Sequence, residues 1–452
     1  MSSEQLLVEA IASTAKNSIV GGPFGSNLVS KDYVPNGVPV IRGQNMGNKW
    51  VGGEFVFVTE EKATSLAPNK ARPGDLIFTQ RGTLGQVAIV PDTPHLEYII
   101  SQSQMKLSVD PQKADVEYLY YLFLGPEQQE YIRNNAIQTG VPHTNLGILK
   151  KTPITLPTLV EQQKIAGLLG SLDDRIALLR ETNATLEAIA QALFKSWFVD
   201  FDPIHARARG EQPAGLAPEV ATLFSDSFEE SALGMIPRGW KIVSVGDVAE
   251  VVKGKSYSSK DLVDSHDTAL VTLKSFERGG GFRLDGFKPY SGAYKPSQVV
   301  VPGDLIIAYT DVTQAAELIG KPAIVVGVEN HQTLVASLDV GIVRPVEDNV
   351  SRQFLYGLFR TEPFQSHTFA HTSGTTVLHL AKNGVGSFEF ACPPVELVKA
   401  FTEIADSLAE RRQTNIDQMR TLATLRDTLL PRLISGQLRL PDAEQQLKDL
   451  AV

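Results

Sequence analysis

Three stretches of the chain carry residue types that catalysis could use, and each lacks something that the chemistry needs. Residues 21–25 (Gly-Gly-Pro-Phe-Gly) are glycine-rich, but they have neither the Gly-Lys-Ser/Thr of a P-loop nor the spacing of a dinucleotide fingerprint. Residues 200–204 (Asp-Phe-Asp-Pro-Ile) are similar to the Asp-Pro-Pro-aromatic motif of adenine methyltransferases, yet they lack the second proline and the aromatic residue. His367 and His371 are four residues apart, and the sequence offers no third metal ligand beside them. We therefore expect no catalytic residues, no metal site and no cofactor bound by this chain.

Composition indicates an ordinary globular protein. The chain has 452 residues, of which 42% are hydrophobic and 21% charged, and this length favours about two to four domains. The net charge of −9 argues against a simple nucleic-acid coat, but it leaves room for a local basic face. Cys392 is the single cysteine, which excludes an intrachain disulfide framework. Because neither a long apolar run nor a signal peptide is evident, we expect a cytoplasmic protein.

A helical pattern that could position functional groups occurs twice in the sequence, 232 residues apart. Arg-Glu-Thr-Asn ends at Asn183, and Arg-Gln-Thr-Asn ends at Asn415. Around the first, core positions recur in alternating steps of four and three, which is the seam of a coiled coil: Ile165, Leu169, Leu172, Ile176, Leu179, Asn183, Leu186, Ala190, Leu193 and Trp197. The matching later positions are Leu397, Phe401, Ile404, Leu408, Arg411, Asn415, Gln418, Leu422, Leu425 and Leu429. The pattern predicts two long helices that pair.

Polar residues in these seams carry separate expectations. An asparagine in a coiled-coil core costs stability but penalises misregistered pairing, so we interpret Asn183 and Asn415 as register devices close to one another. The alternative is that each faces solvent at an irregularity of the seam. Arg411 and Gln418 weaken the second seam, which predicts that its middle is partly exposed or contacts another protein.

A globular domain precedes each helix, and its elements recur in the same order. Each domain contains a Pro-Gly-Asp-Leu turn, at residues 73–76 and 302–305. Strands bounded by Gly, Pro and Asn are expected at 38–42, 75–79, 86–90, 269–273, 304–308 and 322–326, and a helix at 116–134 and at 351–362. Residues 200–235 are rich in proline, glycine, alanine and acidic residues, which indicates a linker.

A series of short motifs, in order and partly duplicated, carries a family resemblance. They are 22–27 (Gly-Pro-Phe-Gly-Ser-Asn), 37–45 (Gly-Val-Pro-Val-Ile-Arg-Gly-Gln-Asn), 72–78 (Arg-Pro-Gly-Asp-Leu-Ile-Phe), 156–163 (Leu-Pro-Thr-Leu-Val-Glu-Gln-Gln), 236–240 (Ile-Pro-Arg-Gly-Trp) and 433–436 (Leu-Ile-Ser-Gly). Over nearly the full chain this order resembles the specificity subunit of a type I restriction–modification system. Residues 393–399 depart from the pattern because they lack the Glu-Gln-Gln run of 161–163.

The resemblance implies an α+β fold in which two similar mixed α/β target recognition domains are separated by two long helices. These helices are expected to pair as an antiparallel coiled coil. The expected boundaries are 1–155 for the first recognition domain, 156–200 for the first helical region, 201–235 for the linker, 236–392 for the second recognition domain, 393–436 for the second helical region and 437–452 for the C-terminal tail.

The function that the resemblance implies is DNA recognition without catalysis. Each domain is expected to read one half of a bipartite, asymmetric DNA target from the major groove, while the paired helices fix the spacer between the halves. From Ile165 to Trp197 the helix would span roughly 48 Å at about 1.5 Å per residue. One turn of B-DNA is roughly 34–36 Å long, so half-sites about one turn apart are within reach.

Base reading needs polar, planar or forked side chains on loops, and several residues after strand ends fit this description. The candidates for base readout are Arg42, Gln44, Asn45, Gln80, Arg81, Thr83, His143, Asn145, Lys274, Ser275, Arg278, Tyr309, Thr310, Thr313, Gln314, Thr375 and Thr376. Contacts to DNA phosphates position a protein on the duplex but do not specify the base sequence. The candidates for phosphate contact are Lys31, Lys70, Lys253 and Lys255. The competing interpretation of any one of them is a turn former or solvated surface residue.

The resemblance also implies partners. Two methyltransferase subunits would bind the helices and supply S-adenosylmethionine and adenine methylation, and restriction subunits would add ATP- and Mg²⁺-dependent translocation and cleavage. Phe194, Phe198 and Met419, outside the strict seam, are candidates either for docking these partners or for a widened intramolecular core. Two alternatives remain: the recognition subunit of a type IIB-like methyltransferase–nuclease, or a two-headed coiled-coil adaptor that does not bind DNA.

Overall fold

The computed structural model describes residues 4–138, 140–313, 315–346 and 349–449. The chain forms two compact units, the first containing residues 1–179 and 418–452 and the second containing residues 180–417. Each unit holds one of the repeated globular domains, named here head one (residues 4–156) and head two (residues 236–392), with a stretch of both long helices. The divisions between the two units therefore fall inside the two long helices. Within the described ranges, no helix is long and apolar enough to cross a membrane.

Head one contains two four-stranded sheets. Its strands are β1 (Glu4–Leu7), β2 (Ile19–Gly21), β3 (Val38–Ile41), β4 (Val56–Val58), β5 (Lys70–Ala71), β6 (Leu76–Thr79), β7 (Val87–Ile89), β8 (Tyr98–Ile100), β9 (Gln104–Leu107) and β10 (Pro153–Leu156). The antiparallel sheet has the order β2-β9-β6-β7, and the mixed sheet has the order β4-β3-β8-β5 with β3 and β8 parallel. A separate pair, β1 with β10, joins the two ends of the head. Strands β6, β7 and β8 are buried along their length, which explains their apolar runs, and β9 is also buried although it carries Gln104 and Lys106.

The helices of head one are α1 (Glu60–Ser65), α2 (Val116–Leu124), α3 (Pro126–Asn135) and α4 (Leu146–Lys150). The expectation of one helix over 116–134 was wrong, because the helix breaks at Gly125, which has an extended backbone. Proline disfavours the helical conformation of the residue before it and suits the first turn of a new helix, so Pro126 ends α2 and begins α3. Short 3-10 helices lie at Val8–Ile11, Gly25–Asn27, Ser30–Asp32, Gly43–Asn45 and Ala67–Asn69.

Head two repeats the two four-stranded sheets of head one and the pair that joins its ends, and it has an additional three-stranded sheet. The hairpin that leads into head two consists of β11 (Phe228–Ser231) and β12 (Gly234–Pro237). The strands that follow are β13 (Lys241–Ser244), β14 (Ala249–Lys253), β15 (Thr268–Val271), β16 (Lys288–Pro289), β17 (Val299–Val300), β18 (Leu305–Ala308), β19 (Thr310–Asp311), β20 (Pro322–Ile324), β21 (Thr333–Ala336), β22 (Val340–Pro345), β23 (Thr372–Ser373), β24 (Leu378–Leu380) and β25 (Glu389–Cys392). The sheets are β14-β22-β18-β20 and β16-β15-β21-β17, again with one parallel pair, and β13 pairs with β25.

The helices of head two are α8 (Val245–Val248), α9 (Arg352–Phe359) and α10 (Glu362–Ala370), with 3-10 helices at Ser259–Asp261, Leu273–Ser275 and Pro296–Gln298. Two consecutive helices of head two, α9 and α10, match α2 and α3 of head one. One buried contact shows how closely the heads correspond. The Gln129 amide donates to the Phe123 and Gly85 carbonyls at 2.7 and 2.8 Å. In head two the Gln365 amide donates to the Phe359 and Gly320 carbonyls at 2.6 and 2.9 Å.

The two long helices are α5 (Leu159–Phe198) and α11 (Val395–Ile434), and they pair as predicted. In the second unit, Nδ2 of Asn415 donates to Oδ1 of Asn183 at 2.8 Å, and Nδ2 of Asn183 donates to the Arg412 carbonyl at 3.3 Å. The Phe194 and Phe401 rings also meet, so numbering falls along α11 as it rises along α5. The segments are therefore antiparallel, and the predicted register contact between the asparagines is confirmed. Asn415 is fully buried, which rules out the alternative that it faces solvent.

The seam of α5 follows the prediction in the first unit, whereas that of α11 departs from it in the second. Ile165, Leu169, Leu172, Ile176 and Leu179 are all buried. The expected α11 positions Ile404 and Arg411 are exposed, and Ala405 and Ile416 are buried in their place. Head two packs against this face of α11, so its buried positions follow the helix period of about 3.6 and not the 3.5 of a strict seam. The exposure expected at Arg411 and Gln418 is confirmed.

The three residues outside the strict seam belong to the intramolecular core. Phe194 is buried among the rings of Phe198, Phe354 and Phe401. Met419 packs against the core of the first unit. Of the two interpretations given above, the structure therefore supports the widened core.

A network of half-buried charged groups joins each head to the helices of its own unit. In the second unit, Glu187 of α5 accepts a hydrogen bond from the Tyr356 hydroxyl at 2.8 Å and forms an ion pair with Arg412 of α11. In the first unit, Asp173 accepts from the Tyr121 hydroxyl and from Arg426, both at 2.6 Å. In both units the acid lies on α5, the arginine on α11 and the tyrosine in the head.

The segments predicted as a linker and as a C-terminal tail contain helices and strands. Between α5 and head two lie α6 (Asp202–Ala208), α7 (Pro218–Ala221) and the β11–β12 hairpin. Ile204 and Phe224 from this segment are buried in the core of the second unit, which explains why the proline-rich stretch is ordered. In the region 437–452, α12 (Leu440–Asp449) buries Ala443 and Leu447 in the core of the first unit.

Candidate nucleic-acid interface

The turn that follows β6 gathers three of the predicted readers in head one. The Gln80 N–H donates to the Ser103 carbonyl at 2.6 Å, and the Gln80 carbonyl accepts from the Thr144 N–H at 2.9 Å. The backbones of Arg81 and His143 form an isolated bridge beside these bonds. Arg81 and the nearby Thr83 are exposed, while Gln80 and His143 are half-buried. The structure therefore brings Gln80, Arg81 and His143 together on one face.

The glycine-rich loop of residues 22–28 is fixed to the same face. The Gly22 N–H donates to the Gln104 carbonyl at 2.8 Å, and the Gln102 amide donates to the carbonyls of Gly25 at 2.5 Å and Leu28 at 2.7 Å. The Ser103 carbonyl accepts a hydrogen bond from the turn at Gln80, and the neighbouring Gln102 bonds to the 22–28 loop. The turn and the loop are therefore both anchored on the short connection between β8 and β9. We name the face formed by residues 22–28, 80–83, 101–103 and 143 the head-one reading surface. Sequence reasoning did not single out Gln102, whose role depends on partners more than 70 residues away.

Two predicted readers hold turns and are buried, so these predictions were wrong. Asn45 is 2% exposed, and its amide donates to the carbonyls of Gly52 at 3.0 Å and Glu54 at 2.9 Å. Its oxygen accepts from the Arg42 N–H at 3.0 Å. At the equivalent place in head two, Ser275 is fully buried and accepts from the Thr272 N–H at 3.2 Å. These side chains stabilise the backbone after the strand and offer no polar atom to a ligand.

The neighbours of these turn residues are more accessible. Arg42 is half-buried, and Gln44 is exposed with its amide donating to the Glu54 carbonyl at 3.1 Å. Asn145 caps α4 by accepting from the Ile148 N–H at 3.0 Å, so its side-chain oxygen serves the helix. Arg42 and Gln44 therefore remain candidates for base readout.

In head two the residues equivalent to Gln80 and Arg81 are buried. Tyr309 is 4% exposed within the apolar core, and burial raises the pKa of its hydroxyl to about 12. Thr310 is 7% exposed, and its hydroxyl lies 3.5 Å from Nδ1 of His379. The predictions of direct base contact by Tyr309 and Thr310 were therefore wrong, because both side chains complete the packing of the head.

Other candidates in head two are exposed. Lys274, Thr375 and Thr376 lie on the surface, and Arg278 is 77% exposed with Nε 3.3 Å from Oε2 of Glu317. Thr313 is half-buried, and its hydroxyl accepts from the Glu317 N–H at 3.0 Å. Gln314 lies outside the described residues.

His379 is a candidate that sequence reasoning missed. The Tyr309 N–H donates to the Asp339 carbonyl at 2.8 Å, and the Tyr309 carbonyl accepts from the Leu380 N–H at 2.9 Å. These bonds match those of Gln80 in head one, so exposed His379 occupies the place of His143. A signal was present in the sequence, because Val141-Pro-His143 recurs as Val377-Leu-His379.

The four lysines differ in how their charge is compensated. Lys70 forms an ion pair with Glu97, with Nζ 2.6 Å from Oε2, and Lys70 together with Arg72 lowers the pKa of that carboxyl. Lys31 and Lys253 are exposed, and Lys255 is half-buried. Nζ of Lys253 lies 5.7 Å from the centre of the Tyr309 ring. Lys31, Lys253 and Lys255 therefore suit phosphate contact better than Lys70 does.

Asp311 holds the loop that follows β19 in head two. Its buried carboxylate accepts hydrogen bonds from the N–H groups of Thr313 at 2.6 Å, Leu318 at 2.5 Å and Ile319 at 2.9 Å. Burial by itself would raise the pKa of Asp311, but these hydrogen bonds outweigh it and the pKa is lowered. The ionised carboxylate thus keeps the 311–319 loop in place.

We expect Asp311→Asn to lower the free energy of unfolding by about 2 kcal/mol at pH 7, the cost of losing charge-assisted bonds to a buried group. A carboxyl with a depressed folded-state pKa contributes stability above its unfolded pKa of about 3.9 and loses it as pH falls through the folded value. The difference between wild type and variant should therefore shrink below about pH 4. Denaturant melts from pH 7 to pH 3 measure this difference in the free energy of unfolding, and Asp264→Asn, at an exposed position, is the control. A difference that does not change with pH would contradict this assignment.

The residues considered for catalysis form no reactive cluster. The His367 and His371 rings stack 4.2 Å apart, and burial followed by the charge of His371 lowers the pKa of His367. Burial raises the pKa of the Cys392 thiol to about 11. Across the described residues, no three His, Cys, Asp or Glu side chains are grouped as metal ligands.

Comparisons with known proteins agree on one family. Residues 26–188 match the family model described as "Type I restriction modification DNA specificity domain". The chain is 25% identical to the type I restriction enzyme HindI specificity subunit of Haemophilus influenzae, over 89% of this chain and 95% of that protein. It is also 25% identical to the MjaIX specificity subunit of Methanocaldococcus jannaschii, over 94% of this chain and 92% of that protein. Its fold is similar to that of the type I restriction–modification S subunit from M. genitalium, with a TM-score of 0.54, 15% identity and 96% of both chains covered.

Proposed function

We infer that this chain, a member of the family of type I restriction–modification DNA specificity subunits, selects the DNA sequence on which its complex acts. One observation supports this inference above the others. The two heads share strand order, parallel pairing and turn hydrogen bonds, yet the side chains at equivalent places differ in type and exposure. Exposed Arg81 of head one corresponds to buried Thr310 of head two. A duplicated scaffold with unlike surfaces suits two unlike DNA half-sites.

In head one, we propose that the reading surface enters the major groove. Arg81 is a forked donor that suits the O6 and N7 acceptors of guanine, and Gln80 and Gln44 suit adenine. In head two, we propose that Lys274, Arg278, Thr375, Thr376 and His379 make the corresponding contacts. Lys31, Lys253 and Lys255 would bind phosphates and fix the heads on the duplex.

We propose that the chemistry belongs to partner subunits. The name "specificity subunit", shared by the relatives, supports a non-catalytic role within a larger assembly. Methyltransferase subunits would bind the paired helices and use S-adenosylmethionine to methylate adenine. Restriction subunits would use ATP and Mg²⁺ to translocate and cleave DNA.

Methylome sequencing tests this function. The chain would be expressed with its methyltransferase partner in a host without other adenine methylation. We expect a split motif, with methyl-adenine in both halves and a fixed spacer of unspecified bases. Footprinting of the purified complex on that motif should then show protection of both halves. Methylation without a split motif, or a complex that protects no sequence selectively, would refute the function and favour an adaptor.

The spacing role of the helices can be tested separately. Adding one heptad beside Asn183 in α5 and one beside Asn415 in α11 keeps the seam in phase and lengthens the pair by about 10 Å. We expect the spacer of the methylated motif to grow by about three base pairs, at about 3.4 Å each, while both half-sites stay the same. The same seven residues inserted after exposed Glu211 serve as the control. Retained methylation with an unchanged spacer would refute the ruler.

A further inference from the structure

An apolar ring stands out on the head-one reading surface. Phe24 is 90% exposed, the highest value among the large hydrophobic side chains of the described residues. Single exposed apolar side chains are common on protein surfaces and need no explanation by themselves. Phe24 differs because its backbone is held rigidly and because polar readers lie beside it.

The rigidity of this loop comes from both of its ends. Gly22 packs so closely on the Ser101 carbonyl that no Cβ atom would fit there. Pro23 and Leu28 are buried on either side of the exposed tip. The Gln102 amide bonds to the carbonyls of Gly25 and Leu28 inside the loop. The ring is therefore presented to solvent at a low cost in conformational entropy on binding.

The neighbours of the loop indicate what the ring contacts. Gln102 adjoins Ser103, whose carbonyl accepts from the N–H groups of Gln80 and Arg81 at 2.6 and 3.4 Å. A Cβ atom on Gly21 would lie 3.5 Å from Oε1 of Gln80, so the side chain of Gln80 reaches the start of the loop. Exposed Lys31 follows in the next turn of the chain. Forked, amide and apolar groups thus share one face.

This combination fits one feature of the major groove. Arginine and glutamine match the polar edges of guanine and adenine, whereas the C5 methyl of thymine is the apolar group that the groove displays. We propose that Phe24 packs on a thymine methyl and thereby specifies a thymine in the half-site read by head one. This inference rests on the proposed function.

Head two has a different group at the corresponding place. Gly254, like Gly22, packs on a strand-end carbonyl, that of Ser337, and donates its N–H to the next strand, at Val340, at 3.0 Å. Counting two residues on from each glycine aligns Phe24 with Ser256, which is exposed and polar. The thymine contact therefore belongs to the half-site of head one alone.

A double-substitution experiment tests the contact on the complex with the methyltransferase partner. Once the methylated motif is known, each thymine is replaced in turn by deoxyuridine, which removes only the methyl group. Binding is measured by fluorescence anisotropy at fixed salt for wild type and Phe24→Ala. We expect wild type to lose about fourfold in affinity at one thymine of the head-one half-site, the loss expected for one buried methyl. Phe24→Ala should bind both duplexes equally.

Leu96→Ala is the matched control, because Leu96 is 76% exposed and precedes the start of β8, whereas residues 101–103 of the reading surface follow the end of that strand. It should keep the wild-type ratio between thymine and deoxyuridine. A head-one half-site without thymine, a wild type indifferent to deoxyuridine, or an unchanged ratio in Phe24→Ala would each overturn the inference. So would weakened assembly with the methyltransferase while the ratio persists. Loss of all sequence preference by wild type would instead refute the proposed function.

Discussion

Replacing Gly22 with alanine is expected to destroy recognition of the head-one half-site while the second half-site is still read. The added Cβ would lie well inside 3.0 Å of the Ser101 carbonyl and of the Gln102 backbone, and neither backbone group can rotate away. Overpacking of this kind typically costs about 1–3 kcal/mol. The loop of residues 22–28 would separate from residues 101–103, and the reading surface would lose its shape.

Affinity for the complete motif should fall by about a hundredfold or more, as expected when an interface loses several specific contacts of about 1–3 kcal/mol each. Anisotropy measurements with duplexes scrambled in one half-site would show which half is lost. Gly47→Ala is the matched control, because the space around a Cβ at Gly47 is open. Gly254→Ala should have the reciprocal effect on the other half-site, since its Cβ would meet the Ser337 and Ala336 carbonyls. Equal loss of both half-sites in Gly22→Ala would contradict the assignment of one half-site to each head.

The second large effect is expected at Glu187. Glu187→Ala should lower the free energy of unfolding of the second unit by about 3 kcal/mol, because it removes the carboxylate that two half-buried arginines and the buried Tyr356 hydroxyl contact. Arg412 loses its ion pair, and Nη1 of Arg360 loses a carboxylate at 3.7 Å. Burial, followed by the charge of Glu187, raises the pKa of Tyr356, so that its hydroxyl stays protonated and donates. Without the acid this donor has no acceptor there.

The expected value is at the low end for a broken buried pair, because Glu187 and Arg412 remain 17% and 30% exposed. Denaturant melts measure the total loss, and hydrogen exchange of residues 352–359 and 405–412 shows whether head two loosens from the helices. Glu181→Ala is the control, since Glu181 is an exposed acid on the same helix. A loss below about 0.5 kcal/mol, the size of a surface ion pair, would show that the network does not hold the unit together.

What the sequence predicted correctly depended on local periodicity. The six strands that it predicted lie within about two residues of observed strands, since buried strands are short apolar runs between turn residues. The contact between Asn183 and Asn415 could be predicted because two helices with one shared repeat can align in few ways. The exposure of Arg411 followed from the same pattern.

What the sequence did not predict depended on long-range packing. Asn45 and Ser275 have the residue types of base readers, but each caps its own turn, which is visible only with the backbone in place. Tyr309 follows a strand as Gln80 does, yet it is buried because its ring packs in the apolar core of head two. The shift of the α11 seam to Ala405 likewise reflects the packing of head two, which helical periodicity cannot encode.

The discontinuity of the first unit has a consequence for synthesis on the ribosome. Its residues 1–179 emerge first, but residues 418–452 follow only after the 238 residues of the second unit. At roughly 5–20 residues per second, that interval lasts about 12 s or longer. During it, Leu169 and Leu172 of α5 lack the α11 residues that cover them in the finished core, such as Leu422 and Leu429. The second unit is continuous in sequence, so it can fold before the first unit is complete. Until residues 418–452 have been synthesised, the nascent chain exposes an apolar face of α5, which is the kind of surface that chaperones recognise.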